Sequence, residues 1–199
     1  MQDLLDILRV QRHDFMNHLQ VISGLLQLNH PERALEYTYE VAEELKKASV
    51  ISQISSAEIA LAILRADLNA HRLGVCLNCN VSSTLDRGFQ HSWALAEVIG
   101  ELLEIAVYEV VEAAGGSGFI ELNIYEKGGE YVFQVGFPSR NSLDGLSFTS
   151  RVVFIEEATA KINGRVKFSN SAEGAVITIY VPAGRTENEA ENKRQLILK

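Results

Sequence analysis

The sequence lacks the features of a membrane-spanning, secreted or nucleic-acid-binding protein. No apolar run approaches the roughly 18 residues that cross a bilayer, and Asp3 and Asp6 stand where a secretory signal would be basic. The net charge of −8 comes with no basic stripe of the kind that neutralises phosphates along a duplex. We therefore expect a cytoplasmic protein that binds neither membrane nor nucleic acid.

Cysteine is equally scarce, and its two copies form a single C-x-x-C, Cys76 and Cys79. A structural zinc site needs a second pair of ligands. The alternating segment 75–81 predicts a strand, in which residues three apart point to opposite faces of the sheet. We interpret the pair as structural thiols and expect no metal or cofactor of the protein's own.

The N-terminal quarter of the chain predicts a helical hairpin. Residues 3–28 contain no proline, and their apolar residues recur at the spacing of a coiled-coil seam. This apolar seam comprises Leu5, Leu8, Phe15, Leu19, Ile22 and Leu26, and Arg12 interrupts it. Asn29 to Pro31 end the helix and start a second one over residues 32–52. So short a link makes the two helices antiparallel.

The first helix also has apolar residues off this seam, so its apolar surface is wider than one partner helix covers. These residues are Leu4, Ile7, Val10, Met16, Val21 and Leu25. A second copy of the chain is the simplest source of the missing cover. We expect a homodimer in which two hairpins form a four-helix bundle.

From residue 55 onward the pattern mixes helices with strands, so the expected fold class is α+β: a helical hairpin followed by an α/β sandwich. The first predicted elements are a helix from a capping box at Ser55 and Glu58 to about Arg72, strand 75–81, and a helix from Ser92 to Gly115. Strands 119–125 and 131–137 follow as a hairpin around Lys127-Gly128-Gly129-Glu130. The last predicted elements are helix 148–162 and strands 165–170 and 175–181. We divide the chain into a hairpin, an α/β domain and a polar tail, residues 1–54, 55–183 and 184–199.

His13 lies in a polar stripe on the first helix. The residues stacked with it at steps of three and four are Asp6, Arg9, Asn17, Gln20 and Gln27. On spacing alone, the stripe fits a solvated helix face as well as a site. The chemistry favours a site, because a neutral imidazole is a nucleophile near neutral pH and a neighbouring carboxylate, Asp14, can fix its tautomer or take up its proton.

Cations and amides around His13 suit a phosphoryl group. Arg9 or Arg12 can bind phosphoryl oxygens through two hydrogen bonds at once. Asn17, one turn on, can donate a hydrogen bond to the same group or to water, and Gln20 extends this surface towards a partner. An exposed site is suitable, since a second protein must bring its reactive group within about 3.5 Å of the imidazole.

The segment R-H-D-F-M-N-H-L-Q-V-I-S-G-L-L-Q-L, residues 12–28, resembles the phosphoacceptor helix of the sporulation-type phosphotransferase family, which is related to the citrate- and malate-type sensor histidine kinases. The resemblance implies that His13 accepts the phosphoryl group and that Asp14 and Asn17 are its companions. His18 projects from another face, and we interpret it, like His30, His71 and His91, as a surface or capping residue.

The order of elements after residue 55 is similar to the ATPase domain of histidine kinases, but three nucleotide-binding features of that family are missing. The stretch Gly100-Glu101-Leu102-Leu103-Glu104-Ile105-Ala106 lacks both asparagines of the pattern that helps to hold magnesium. Gln134 to Ser139 contain no acid to read an adenine. Phe148 to Arg151 stand in place of the glycine-rich lid, and Asp144-Gly145 is at most a remnant of it. The sequence therefore predicts a degenerate domain that does not bind ATP.

These observations predict a phosphorelay phosphotransferase. His13 would carry a phosphoryl group between aspartates of response-regulator receiver domains, and magnesium would be held by the receiver. Two alternatives stay open. One is a sensor-kinase fragment with residual ATP-dependent autophosphorylation, and the other is a module that binds or inhibits a histidine kinase without carrying phosphate.

Overall fold

A computed structural model describes residues 2–83, 85, 89, 91–114, 118–139, 149–171 and 174–183. It begins with the helical hairpin that the sequence predicts. Helix α1 spans Gln2–Gln27 and α2 spans Pro31–Ser49. The chain reverses at Asn29, whose φ of 58° is one that asparagine tolerates better than most residues. His30 continues the turn, because its backbone N–H donates to the carbonyl of Leu25.

The apolar seam of α1 is largely open to solvent. Leu5, Leu8, Phe15, Leu19 and Leu26 are exposed, whereas Ile7 is buried. On α2, Ala34 and Val41 are the buried residues. The pairing of two hairpins into a four-helix bundle stays a prediction, and the exposed seam is the surface that it concerns.

A short 3-10 helix, Val50–Gln53, joins the hairpin to the rest of the chain. The predicted second helix was therefore too long at its C-terminal end. Ile51 and Ile54 are buried in the core of the sheet domain. Burial of these two side chains fixes the connector against the domain and ends the regular α-helix at Ser49.

The remaining elements are α3 (Ala57–Arg72), β1 (Val75–Val81), α4 (Ser92–Ala114), β2 (Gly118–Lys127), β3 (Glu130–Phe137), α5 (Thr149–Lys161), β4 (Arg165–Ser171) and β5 (Gly174–Pro182). They form a five-stranded sheet in the order β1-β2-β3-β5-β4. β1 and β2 are parallel, and the other neighbours are antiparallel. The α+β class predicted from the sequence is confirmed.

Helices α3, α4 and α5 cover the sheet, and alternate residues of the strands point into the core between them. The core includes Ile59, Ile63, Leu95, Ile99, Leu102, Leu103, Ile120, Leu122, Ile124, Phe133, Val135, Ile155, Ile177 and Ile179. Helix α4 is central, because it contacts α3, α5 and three strands. The side chains of α4 therefore form much of the helical layer that packs on the sheet.

The structure corrects the predicted cap of α3 and confirms a predicted hairpin turn. The cap of α3 is Ser56 rather than Ser55, because Ser56 has the extended φ and ψ of an N-cap residue and its hydroxyl accepts a hydrogen bond from the Ile59 N–H. The predicted hairpin turn is confirmed. Gly128 and Gly129 have φ of 63° and 81°, as a two-residue turn between antiparallel strands requires.

Four of the predicted strands extend further than expected. Pairing of β2 with β3 continues to Lys127 and Glu130 at the turn, and pairing of β4 with β5 continues to Ser171 and Gly174. The predicted helix end at Gly115-Gly116, the segment with Asp144-Gly145, Phe148 and the tail 184–199 lie outside the described residues. None of the helices in the described part of the chain is long and apolar enough to cross a membrane.

Candidate functional site

His13 lies in the middle of α1 with its side chain open to solvent. Its exposed fraction is 75%, against 46% for the neighbouring Asp14. The helix is regular here, so the side chain of Asn17 lies one turn beyond that of His13 on the same face. The imidazole is therefore accessible to a group that approaches from outside the hairpin.

The two predicted companions of His13 both approach Nδ1 of the imidazole. Nδ2 of Asn17 lies 3.1 Å from this nitrogen. Oδ1 of Asp14 lies 3.5 Å from it, which is long for a hydrogen bond and makes the contact mainly electrostatic. The structure thus brings together the three residues that the sequence singled out.

These contacts favour different tautomers of His13. The Asn17 amide N–H donates to Nδ1 when the imidazole proton is on Nε2, whereas the Asp14 carboxylate accepts from Nδ1 when the proton is there. A half-turn of the Asn17 amide presents its oxygen instead and then favours the same tautomer as Asp14. The site can therefore leave a lone pair on Nε2, the nitrogen that neither companion contacts.

Arg9, Arg12 and Gln20 are all exposed on α1. Arg9 lies one turn before His13, and Gln20 lies about two turns after it. Arg12 stands beside His13 in the chain, within the exposed apolar seam. Their predicted roles in binding a phosphoryl group or a partner stay predictions.

The interpretation of His18 as a surface or capping residue was wrong. His18 is half-buried, and its Nδ1 lies 2.9 Å from the hydroxyl oxygen of Tyr37 on α2. The two rings are 5.8 Å apart between centroids. Only an indirect signal in the sequence points to this contact: an antiparallel hairpin that turns at Asn29 brings these two positions to a similar level.

The α4 positions that lack the expected asparagines have other contacts in this fold. Ile105 is buried in the core. Oε1 of Glu101 lies 3.2 Å from Nε of Arg151, in the first turn of α5. Further along α4, the buried carboxylate of Glu109 accepts a hydrogen bond of 2.9 Å from the hydroxyl of Ser139. The carboxylate at position 101 thus binds a cation of the chain itself.

The cysteines are free thiols in different surroundings. Cys76 is exposed and Cys79 is half-buried. Burial, helped by the negative charge of Asp67, raises the pKa of the Cys79 thiol to about 12. No cluster of three or more potential metal ligands occurs among the residues that the structure describes.

Residues 1–54 match the family model described as the α-helical domain of the Spo0B-type sensor kinases. A probable C4-dicarboxylate sensor kinase of Halalkalibacterium halodurans is 36% identical over 37% of this chain and 14% of its own length. Sensor histidine kinase DcuS of Escherichia coli is 32% identical over 59% of this chain and 22% of its own. Sporulation initiation phosphotransferase B of Bacillus subtilis is 27% identical over 54% of this chain and 46% of its own.

The chain therefore spans less than half the length of each of these relatives. Their names support a similarity to the histidine kinases of two-component systems, and they include both sensor kinases and a phosphotransferase. The sequence resemblance to histidine kinases is thus confirmed. The similar proteins do not distinguish a sensor kinase from a phosphotransferase.

Solved structures of histidine kinases share the fold. The kinase domain of the blue-light activated histidine kinase EL346 of Erythrobacter litoralis has a TM-score of 0.54 at 13% identity, over 64% of this chain and 62% of its own. Histidine kinase AdeS of Acinetobacter baumannii has a TM-score of 0.51 at 13% identity, over 87% of this chain and 98% of its own. The described chain thus has a helical part followed by a sheet domain like the ATPase domains of these kinases.

Proposed function

We propose that this protein is a histidine phosphotransferase of a two-component phosphorelay. His13 takes a phosphoryl group from the aspartyl phosphate of one receiver domain and passes it to the aspartate of another. The observation that carries this proposal is the exposed imidazole of His13, with Asp14 and Asn17 both beside its Nδ1.

The proposed nucleophile is Nε2, which has a free lone pair when the imidazole proton is on Nδ1 beside Asp14. The Nε2 lone pair forms the P–N bond while the P–O bond of the acyl phosphate breaks and the aspartate leaves as a carboxylate. The imidazole becomes cationic, and Asp14 stabilises that charge or takes the Nδ1 proton. Transfer to the second receiver reverses these steps, and magnesium at each receiver's acidic site neutralises the phosphoryl oxygens.

Loss of ATP binding is supported by the surroundings of α4. A buried aliphatic side chain, that of Ile105, cannot ligate magnesium. Glu101 would bring a second negative charge towards the triphosphate, and its carboxylate is paired with Arg151. A fold that rests on apolar packing persists when these few polar groups change.

A homodimer is part of the proposal. The exposed seam on α1 contains five large apolar side chains within a helix whose other faces carry the polar stripe and the contacts with α2. A second hairpin packed on this seam would bury it and leave His13 exposed. Partner receivers would then approach from outside the bundle.

The test is a paired labelling experiment on the purified protein. One arm uses radiolabelled ATP with magnesium, and the other uses a receiver domain phosphorylated with a labelled small phosphodonor. We expect label to arrive from the receiver alone, in acid-labile form, and to be absent in His13→Ala. The free energy of unfolding of this variant should lie within about 0.5 kcal/mol of the wild-type value, since an exposed histidine contributes little to stability.

A sensor-kinase fragment is the second candidate function, because DcuS and the probable C4-dicarboxylate sensor kinase are among the similar proteins. It predicts label from ATP alone. That result would show that a nucleotide site works despite Glu101 and Ile105, and it would overturn the proposal. Absence of label in both arms, with several receivers, would favour a module that binds a kinase without carrying phosphate.

A further inference from the structure

The turn of α1 that carries His13 is held against α2 by polar rather than apolar groups. Among the side chains of α1 that the structure describes, a less exposed stripe includes Ile7 and Val10 towards one end and Ile22 and Leu25 towards the other. Between these apolar pairs it contains Asp14 and His18. At the level of the site, the less exposed side chains of α1 are therefore polar rather than apolar.

Tyr37 supplies a directional contact at this level. Its hydroxyl lies 2.9 Å from Nδ1 of His18, and the half-buried setting keeps water from replacing the bond freely. The rings also touch, with centroids 5.8 Å apart and planes inclined by 47°. Because a hydrogen bond has a preferred direction, this contact restrains rotation of α1 about its axis.

His18 is placed to pass this restraint to the site. It follows Asn17 directly in the chain and stacks one turn after Asp14, since residues four apart on a helix are neighbours. Both companions of His13 thus lie next to a residue that is bonded to α2. A rotation of this turn would move all three groups relative to an approaching receiver.

We infer that His18 and Tyr37 are positioning residues, whose hydrogen bond across the hairpin fixes the orientation of His13, Asp14 and Asn17. This inference rests on the proposed function, because the effect expected from losing the hydrogen bond is slower phosphoryl transfer. It goes beyond that function by assigning a role to His18, which the resemblance does not name as a companion of His13, and to Tyr37, which lies outside the resembled segment. Neither residue touches the phosphoryl group.

The first test compares three variants with a matched control. Tyr37→Phe removes the hydroxyl and keeps the ring, while His18→Leu removes the ring nitrogens. His18→Asn puts an amide group near the place of Nδ1 and should preserve the bond. The control is Tyr39→Phe, because the Tyr39 ring is 66% exposed on the same helix.

We expect Tyr37→Phe and His18→Leu to lower the kcat of phosphoryl transfer from a receiver about 3- to 30-fold, since small misplacements of reacting groups are costly. The KM for the receiver should change less than about twofold, because the docking surface is kept. His18→Asn and Tyr39→Phe should stay near the wild type. Unchanged kcat in Tyr37→Phe, or equal losses in His18→Asn and His18→Leu, would overturn the inference.

A second measurement does not depend on transfer. The ¹⁵N chemical shifts of the imidazole report which nitrogen of His13 carries the proton. We expect Tyr37→Phe to change the His13 tautomer ratio, because Asp14 and Asn17 shift relative to Nδ1, and Tyr39→Phe to leave it unchanged. Identical His13 spectra in both would overturn the inference. If wild-type protein accepted no phosphate while Tyr37→Phe still altered His13, the proposed function alone would fail.

Discussion

Nε of Arg151 lies 3.2 Å from Oε1 of Glu101, so the first turn of α5 is joined to α4 by an ion pair. The side chains are 48% and 27% exposed, and solvent therefore screens much of the attraction. The location matters more than the strength. Glu101 occupies one of the two positions where the resembled ATPase pattern has asparagine.

A double-mutant cycle on this pair should give a coupling free energy below about 1 kcal/mol, as exposed pairs do. The variants are Glu101→Gln, Arg151→Gln and the double substitution, with stability measured by urea unfolding. A second measurement is the binding of a fluorescent ATP analogue to each variant. We expect Glu101→Gln to bind no more nucleotide than the wild type, because buried Ile105 still fills the second asparagine position. Magnesium-dependent binding in that variant would contradict the account of the site.

The exposed seam leads to a prediction about assembly. Phe15→Glu should shift the proposed dimer to a monomer, because it places a charge on the apolar surface that a second hairpin would cover. Sedimentation velocity at micromolar concentration measures the change. Tyr108→Glu is the control, since Tyr108 is an exposed aromatic residue on α4, outside the seam. A wild-type protein that sediments as a monomer would refute the dimer.

The order of elements in the fold could be predicted from the sequence because period and turn chemistry are local properties. The coiled-coil spacing of apolar residues predicted α1, and Gly128-Gly129 predicted a hairpin turn. His13, Asp14 and Asn17 could be grouped because one helix fixes their spacing. The contacts of His18 with Tyr37 and of Glu101 with Arg151 could not, because each joins two elements whose relative placement depends on packing of the whole chain.

The thiols should differ in reactivity. At pH 8 the exposed Cys76 should react with iodoacetamide, while Cys79, with its pKa raised from 9.0 to about 12, should stay unlabelled in the native protein. Mass spectrometry after digestion locates the label. Unfolding in urea should make both thiols react, which serves as the control. Labelling of native Cys79 at the rate of Cys76 would contradict this prediction.

The raised pKa of Cys79 also makes the free energy of unfolding depend on pH. The thiol of Cys79 is favoured in its neutral form by the fold, so its contribution is fully present below pH 9 and is lost as pH rises towards 12. In a Cys79→Ala variant, the fall in unfolding free energy between pH 8 and pH 10 should therefore be smaller than in the wild type. An equal fall in both proteins would assign the pH dependence to other groups.

Thr159 is fully buried on α5, and its hydroxyl has no hydrogen-bond partner within the described part of the chain. Thr159→Val keeps the shape and removes the cost of burying that hydroxyl, so we expect a gain of about 1 kcal/mol in unfolding free energy. Thr38→Val is the matched control. Its hydroxyl donates to the Ala34 carbonyl at 2.7 Å, and its loss should give no gain. Stabilisation of equal size in both variants would mean that general helix effects, rather than the orphan hydroxyl, are responsible.

Gly174 begins β5 with a φ of 145°, a backbone conformation that residues with a side chain rarely adopt. A Cβ here would overlap the carbonyl oxygen of Phe137 and lie 2.8 Å from Cα of Pro138. Gly174→Ala should therefore cost more than about 1 kcal/mol of stability. Gly100→Ala, in the middle of α4 with open space around its Cβ, should instead stabilise by about 0.5 to 1 kcal/mol. Urea unfolding measures the free energy of unfolding of both variants. A Gly174→Ala protein as stable as the wild type would show that the backbone of β5 lies further from the end of β3 than the structure has it.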